Sequence, residues 1–214
     1  MTVRPVVHLV DDDASVRRAL RRLLLAAGRA VEDHPSALDF LARRPEGPGC
    51  VVLDLRMPDI SGLEVLRALV EGGGVQRVII LSGHADVGLA VSAMKLGAVD
   101  LLAKPVEDAR LLATVEAACR MSLEAWEAQA EERELRARHA SLTRREAEVA
   151  WLVSRGMLNK QVAGELGTAV KTVKAHRGRV MRKLGVGSVA DLVRLMDRLR
   201  LPPPGEREEA GAGR

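Results

Sequence analysis

Short apolar runs alternate with helix-like segments through the first 120 residues, and this alternation restricts the fold more than any other feature. The apolar runs occupy residues 6–10, 30–33, 50–53, 78–81 and 99–102. Helical periodicity follows each run, over residues 15–27, 37–43, 63–70, about 86–96, and from 107 onward. Five β-α units with short connections predict an α/β fold with a doubly wound, five-stranded parallel sheet.

Carboxylates follow the first and third predicted strands. Asp11, Asp12 and Asp13 come directly after the first strand, and Asp54 follows the third. Because the carboxyl ends of parallel strands line one crevice, we expect these side chains to converge. Neighbouring carboxylates repel each other unless a proton or a hard cation lies between them, and oxygen ligands suit Mg²⁺. The sequence therefore predicts a magnesium site, with simple helix capping as the alternative.

A hydroxyl and an ammonium follow the remaining strands of the same crevice. Ser82 ends the fourth predicted strand, and Lys104 with Pro105 follows the fifth. A metal and a lysine neutralise phosphoryl oxygens, a hydroxyl binds one of them, and a carboxylate accepts the group. Each residue alone has an ordinary explanation, as a strand end or a surface dipeptide. Their joint placement favours a site that handles a phosphoryl group.

The second half of the chain is basic and helical. Residues 141–199 hold 12 Lys and Arg against 5 Asp and Glu, whereas residues 1–120 hold 15 against 16. Gly156, Gly167 and Gly185 divide this segment into four short helices, of which two form a helix-turn-helix. A positive charge of this density suggests a polyanionic partner, with a merely solvated surface as the alternative.

Residues 170–184 form the most basic of these helices, with six Lys and Arg and no acid. A helical projection places these apolar residues in one sector: Val170, Val173, Val180, Met181 and Leu184. The opposite face carries these residues: Lys171, Ala175, Gly178, Arg179 and Arg182, flanked by Lys174 and Arg177. Such a helix suits insertion into the major groove of double-stranded DNA.

Two other segments complete the expected organisation. Residues 121–140 are charged, rich in alanine and free of Gly and Pro, so they predict a helical linker between domains at 1–120 and 141–199. Its stripe of Leu123, Trp126 and Ala130 fits either a tether or a dimer contact. Residues 200–214 are polar and rich in Pro and Gly, and are predicted to be disordered.

Composition narrows the functional classes. The apolar runs are far shorter than the ~20 residues of a membrane span, and no secretory leader is present, so we expect a cytoplasmic protein with no membrane partner. Cys50 and Cys119 are expected to be reduced core residues. The five histidines are scattered along the chain without the spacing of metal ligands, so no transition metal is indicated.

Three stretches resemble the receiver domain of two-component response regulators: HLVDDDASVRRAL, VVLDLRMPDISGLEVL and ILSGHADVGLAVSAMKLGAVDLLAKP. Residues 141–199 are similar to the LuxR-type helix-turn-helix, with landmarks that include Leu142-Thr143, Glu146, Asn159-Lys160, Thr172-Val173 and His176. Together they resemble the FixJ/NarL class of transcriptional response regulators, and FixJ-like members in particular. The resemblance implies a flavodoxin-like or CheY-like receiver and an all-α, four-helix DNA-binding domain.

Functional residues carry over by position. In the receiver, the resemblance implies that Asp54 accepts the phosphoryl group, with Ser82 and Lys104 beside it. It implies that Mg²⁺ is held by Asp11, Asp12, Asp54 and the backbone carbonyl of Arg56, and that Lys104-Pro105 is cis. The implied DNA contacts are Lys160, Lys171, Thr172, Lys174, Arg177 and Arg179, with Ala175 and Gly178 facing base edges and Arg182 on the same basic face.

Three positions depart from the family pattern, one in the receiver and two at the start of the recognition helix. Leu101 stands where the family has Tyr or Phe, so the usual reorientation of an aromatic ring cannot couple phosphorylation to output. Ala169 and Val170 replace the usual Ser and Pro at the start of the recognition helix. Its start is therefore expected to be capped by Thr168, or to be weaker by ~1 kcal/mol.

The expected function is regulation of transcription. We expect a sensor histidine kinase to phosphorylate Asp54 and the protein to form a homodimer through Val91, Lys95 and the strand around Val99 to Leu101. The dimer would then bind promoter DNA and work with RNA polymerase. One alternative is a DNA-binding regulator that does not depend on phosphorylation, which Leu101 favours. The other is a phosphatase that turns over through an aspartyl-phosphate, although the short loops offer no general acid or substrate pocket.

Overall fold

A computed structural model describes residues 3–43, 45–83 and 87–204. The chain divides into two compact units, Met1–Ala128 and Gln129–Arg214. Residues 205–214 of the tail predicted to be disordered lie outside the described residues, as does the predicted start of the fourth helix at residue 86.

The first unit is built on a parallel sheet whose strand order is β2-β1-β3-β4-β5. The strands are β1 (Val6–Val10), β2 (Ala30–His34), β3 (Gly49–Asp54), β4 (Arg77–Ser82) and β5 (Asp100–Ala103). All six residues of β3 are buried, as expected for a central parallel strand covered on both faces. The predicted doubly wound sheet is confirmed, and no strand end differs from the expected position by more than one residue.

Helices cover both faces of this sheet. They are α1 (Ala14–Ala26), α2 (Ala37–Arg43), α3 (Gly62–Glu71), α4 (Val87–Lys95) and α5 (Asp108–Ala140). Asp13 begins α1 by accepting hydrogen bonds from the backbone N–H groups of Ser15 and Val16. Ser61 and Glu64 form a capping box at the start of α3. These caps fix where each helix leaves the carboxyl edge of the sheet.

Alternate residues of the strands feed two separate cores. Val7 and Leu9 face one cluster with Leu24 and Leu111, whereas Val10 faces another that surrounds the fully buried Phe40. Cys50 and Cys119 are reduced and lie in the cluster of Val7 and Leu9. Sheet periodicity of two therefore sorts each strand's apolar residues between the two helix layers.

Helix α5 runs without interruption for 33 residues, across the boundary between the two units. Its buried side chains end at Ser122, whose hydroxyl accepts a hydrogen bond from the Gly49 N–H at 2.8 Å. Farther along, Arg136 pairs with Glu132 at a spacing of four residues. Helix-forming residues and the absence of Gly and Pro from 108–140 explain why the helix continues past the sheet.

The second unit is helical. Besides the end of α5 it contains α6 (Arg144–Ser154), α7 (Asn159–Glu165), α8 (Val170–Leu184) and α9 (Val189–Leu199). Gly156, Gly167 and Gly185 have φ values of 84°, 59° and 69°, a conformation that ends helices and that glycine adopts without strain. The four short helices and their glycine boundaries are as predicted.

One core holds the second unit together, and α8 and α9 contribute to it. Val173, Val180 and Leu184 of α8 are buried, and Met181 packs partly against them. Val170 was predicted on the same face but is 39% exposed, because it begins the helix and the core lies farther along. On α9, Leu192 and Met196 are buried in this core.

Within the part of the chain that the structure describes, no helix is both long enough and apolar enough to span a membrane.

Candidate functional site

Two buried carboxylates lie side by side at the carboxyl edge of the sheet. Val10 of β1 pairs with Leu53 of β3, so the residues that follow them, Asp11 and Asp54, are neighbours. Asp11 is 3% exposed and Asp54 is 7% exposed. Burying two negative charges this close is unfavourable without a compensating cation.

Lys104, which directly follows β5, supplies a positive charge to both carboxylates. Its Nζ donates to Asp11 Oδ2 at 2.6 Å and to Asp54 Oδ1. Burial by itself lowers the pKa of Lys104, but hydrogen bonds and the charges of Asp11 and Asp54 outweigh it and hold the pKa above its usual value. The lysine is therefore a fixed cation at neutral pH.

Backbone groups orient the remaining carboxylate oxygens. The Arg56 N–H donates to Asp54 Oδ2 at 2.7 Å, and the Asp13 N–H donates to Asp11 Oδ1 at 2.9 Å. Asp12 and the Arg56 side chain are exposed at the same edge. The structure thus brings Asp11, Asp54 and Lys104 into direct contact and leaves Asp12 toward solvent.

Ser82 lies at the end of β4, next to this group. It is 2% exposed, and its carbonyl accepts a hydrogen bond from the Lys104 N–H at 2.7 Å. The Lys104-Pro105 peptide bond is cis, as the resemblance implies. Four strand ends therefore contribute to one crevice that contains carboxylates, an ammonium and a hydroxyl. Its donors are hard oxygens, which fit Mg²⁺ rather than a softer metal.

In the second unit, helix α8 presents a basic surface. These predicted contact residues are exposed: Lys171, Thr172, Lys174, Ala175, Gly178, Arg179 and Arg182 on α8, and Lys160 on α7. Arg177 is half-buried, and its Nη1 donates to Asn159 Oδ1 of α7 at 3.1 Å. A shallow helix face with small residues at its centre and cations around it suits close approach to DNA.

Comparison with known proteins finds one family for each of the two units. Residues 7–116 match the family model of the response regulator receiver domain, and residues 140–196 match that of bacterial regulatory proteins of the luxR family. The chain belongs to the response regulators.

Named relatives match this chain along most of its length. The transcriptional regulatory protein FixJ of Azorhizobium caulinodans is 44% identical over 190 residues, which cover 88% of this chain and 90% of FixJ. The response regulator protein TodT of Pseudomonas putida is 42% identical over 196 residues, 91% of this chain and 86% of TodT. The solved structure of the response regulator StyR is 43% identical with a TM-score of 0.84, and the match covers 92% of this chain and all of StyR. The protein is thus a response regulator with a receiver and a LuxR-type DNA-binding domain.

The face of the receiver that was expected to form a dimer carries more apolar residues than the sequence suggested. Val91 and Lys95 are exposed on α4, and Leu101 on β5 is half-buried against the second core cluster. Val87 and Met94 extend the exposed stripe, with 78% and 49% exposure. They were missed because helical periodicity does not distinguish an exposed apolar stripe from a buried one.

The recognition helix of this response regulator begins without the predicted cap. Its N-cap is Ala169, whose methyl side chain cannot accept a hydrogen bond, so the expectation that Thr168 caps the helix is wrong. Thr168 lies one residue too early, in the turn after α7, where its N–H donates to the Ala163 carbonyl at 2.9 Å. A weaker helix start remains a prediction.

An ion pair between Lys183 and the buried carboxylate of Glu146 fixes α8 against α6. Lys183 Nζ donates to Glu146 Oε2 at 2.6 Å, and the Glu146 side chain is only 4% exposed. Glu146 also forms a capping box with Thr143 at the start of α6. The hydrogen bond from Lys183, followed by that from the Thr143 backbone, lowers the pKa of Glu146 to about 2. The pair holds the recognition helix by its carboxyl end.

Proposed function

We propose that Asp54 accepts a phosphoryl group from a sensor histidine kinase, and that phosphorylation promotes homodimerisation and sequence-specific binding to promoter DNA. The observation that carries this proposal is the contact of Lys104 with both Asp54 and Asp11 at the ends of three strands. Domain order and the match to transcriptional regulators support the same output.

Asp54 is suited to act as the nucleophile. A carboxylate oxygen of Asp54 forms the new bond to phosphorus while the bond between phosphorus and the donor's histidine nitrogen breaks. The Arg56 N–H holds Oδ2, which orients the carboxylate for attack. Lys104 neutralises charge on the transferred group, and the buried Ser82 hydroxyl binds one of its oxygens.

Mg²⁺ fits the donor set of this crevice. Asp11, Asp12, Asp54 and the backbone carbonyl of Arg56 would hold it, since all four offer oxygen. When bound, the ion supplies positive charge to the phosphoryl oxygens. The carboxylate of Asp12 is exposed, whereas that of Asp11 is buried, so Asp12 would approach the ion from the solvent side.

The apolar stripe on α4 supports dimerisation through Val91, Lys95 and Leu101. Phosphorylation would shift an equilibrium between two arrangements of β4, β5 and α4, since Ser82 ends β4 and Leu101 pairs with Ile80 of the same strand. Leu101 also supports the alternative of phosphorylation-independent control. It lacks the aromatic ring whose reorientation toward the hydroxyl residue, here Ser82, usually couples phosphorylation to output.

The exposed face of α8 supports binding of promoter DNA in the major groove. Lys171, Lys174 and Arg179 would contact phosphates, and Ala175 would touch a thymine methyl group, while Gly178 allows close approach. Thr172, Arg182 and Lys160 border the same face and would add contacts to DNA. Arg177 would also contact DNA, with its guanidinium positioned by the hydrogen bond to Asn159. We further propose action in the cytoplasm, where the kinase and RNA polymerase would be partners.

The proposal is tested by incubating the protein with acetyl phosphate, with and without Mg²⁺, and measuring intact mass and oligomeric size. Wild type should gain one phosphoryl group only with Mg²⁺ and shift from monomer to dimer, and Asp54→Ala should do neither. Phosphorylation without a change in size would favour the phosphorylation-independent regulator. Many turnovers of an aryl phosphate per molecule would instead favour a phosphatase.

A further inference from the structure

Two histidines that are far apart in the sequence meet at the edge of the receiver sheet. In the parallel register His8 of β1 pairs with Glu32 of β2, and His34 lies two residues beyond Glu32 on the same face. The side chains of His8, Glu32 and His34 therefore project into one small volume, and both histidine rings lie beside Phe40.

Their ligand atoms have the spacing of a metal site. His8 Nδ1 lies 3.3 Å from His34 Nε2 and 3.6 Å from Glu32 Oε2, and one ligand atom from each residue lies within 4.8 Å of the others. Zinc bonds to nitrogen and oxygen of roughly 2.0–2.2 Å in a tetrahedron place neighbouring ligand atoms about 3.4 Å apart. Two of the three distances between the ligand atoms are therefore already close to those around a bound zinc ion.

A carboxylate behind His34 orients its ring. His34 Nδ1 lies 3.0 Å from Asp39 Oδ2, so its proton is held on that side and the lone pair of Nε2 points into the cluster. Asp39 is in turn paired with Arg43 at 3.2 Å. A histidine that binds a metal through one ring nitrogen usually donates the N–H of its other ring nitrogen to a carboxylate, as His34 can to Asp39.

The cluster is closed on the protein side and open on the solvent side. His8 and His34 are 4% and 1% exposed, whereas the Glu32 side chain is 61% exposed on the edge strand β2. Burial is the main reason that the pKa of His8 falls to about 4, so the imidazole is neutral at pH 7. An ion can therefore enter beside Glu32, and water can complete its coordination.

We propose that His8, Glu32 and His34 form a binding site for a transition-metal ion of the zinc class. Two imidazoles and one carboxylate select such an ion, whereas the all-oxygen crevice around Asp54 selects Mg²⁺. His8 binds through Nδ1, so its single proton lies on Nε2 in the metal-bound form. The ion ties β1 to the edge strand β2, and stabilises the receiver in proportion to its affinity.

The test uses untagged full-length protein in excess Mg²⁺, titrated with Co²⁺ as a visible probe for zinc sites. Wild type should bind one Co²⁺ with the strong visible absorption of four-coordinate cobalt, and Zn²⁺ should displace it. Glu32→Gln changes an exposed ligand without disturbing the core, and should weaken binding at least ~10-fold; Asp39→Asn, which alters only the orienting carboxylate, should weaken it ~10- to 100-fold. Glu71→Gln, which alters another exposed carboxylate of the receiver, is the matched control and should leave binding unchanged.

Three results would overturn the site: the lack of a four-coordinate cobalt spectrum, equal affinity in Glu32→Gln and wild type, or complete competition by Mg²⁺. Because Glu32 is exposed, folding of Glu32→Gln can be verified by circular dichroism before the titration. Either answer leaves phosphorylation at Asp54 untouched, since the two ligand sets share no residue.

Discussion

Replacement of Lys183 by Met should selectively destabilise the DNA-binding domain. The substitution keeps the length of the side chain but removes the cation that donates to the buried Glu146. Lowering the Glu146 pKa from 4.5 to about 2 corresponds to roughly 3 kcal/mol of stabilisation at neutral pH. Part of this stabilisation comes from the hydrogen bonds of Thr143 and would remain after the substitution. Lys183 is also 35% exposed, so solvent partly screens its charge, and about 2 kcal/mol is left as the contribution of Lys183.

Urea unfolding of the full chain measures this change. The chain has two tryptophans, Trp126 and Trp151, and Trp151 lies in α6 with Glu146. In a Trp126→Phe background, Trp151 fluorescence therefore reports on the DNA-binding domain alone. With a urea dependence of about 1 kcal/mol per M for a domain of this size, Lys183→Met should lower the midpoint by roughly 2 M.

A matched control and a pH series make the prediction refutable. Arg194→Met also removes one cation from an ion pair of the same domain, but Arg194 and Asp191 are 75% and 40% exposed, so its effect on stability should be far smaller than that of Lys183→Met. The Glu146 pKa is lower in the folded state, so its contribution is complete above pH 4.5 and is lost as the pH falls through about 2. Equal effects of the two substitutions, or a difference between wild type and Lys183→Met that persists at pH 2, would refute the reasoning.

Three further substitutions test other parts of the molecule. Phe40→Ala removes a fully buried ring and should cost the receiver ~3–5 kcal/mol in thermal unfolding. Lys104→Met leaves Asp11 and Asp54 without their shared cation and should cost about 2 kcal/mol at pH 7, most of which added Mg²⁺ should restore in the same assay. Arg179→Ala should weaken DNA binding and lower the slope of log affinity against log salt by about 1, as measured by fluorescence anisotropy.

The sheet and its crevice were accessible from the sequence because both follow from simple rules. Apolar runs of strand length predict the strands, and parallel strands bring their carboxyl ends to one edge. Asp11, Asp54 and Lys104 could therefore be grouped before any contact was known. The pairing of a single ammonium with both carboxylates required the structure, since it depends on side-chain distances.

Other features were hidden because they depend on register or on position within a helix. His8 and His34 are 26 residues apart, and only the pairing of β1 with β2 makes them neighbours. Val170 fits the apolar sector of α8 by its angle, but the first turn of the helix extends beyond the core. The cap at Ala169 shifts by one residue from the expected Thr168, a difference smaller than the precision of sequence-based helix boundaries.

The proposed switch is tested most directly by the affinity for promoter DNA before and after phosphorylation. Sites would first be selected from random duplexes with the acetyl-phosphate-treated protein, and affinities then measured for wild type and Asp54→Ala at fixed salt and Mg²⁺. Acetyl phosphate should increase the affinity of wild type at least ~10-fold, in step with dimer formation, and leave Asp54→Ala unchanged. Equal affinity of wild type and Asp54→Ala in the presence of acetyl phosphate would contradict the proposal that Asp54 controls DNA binding.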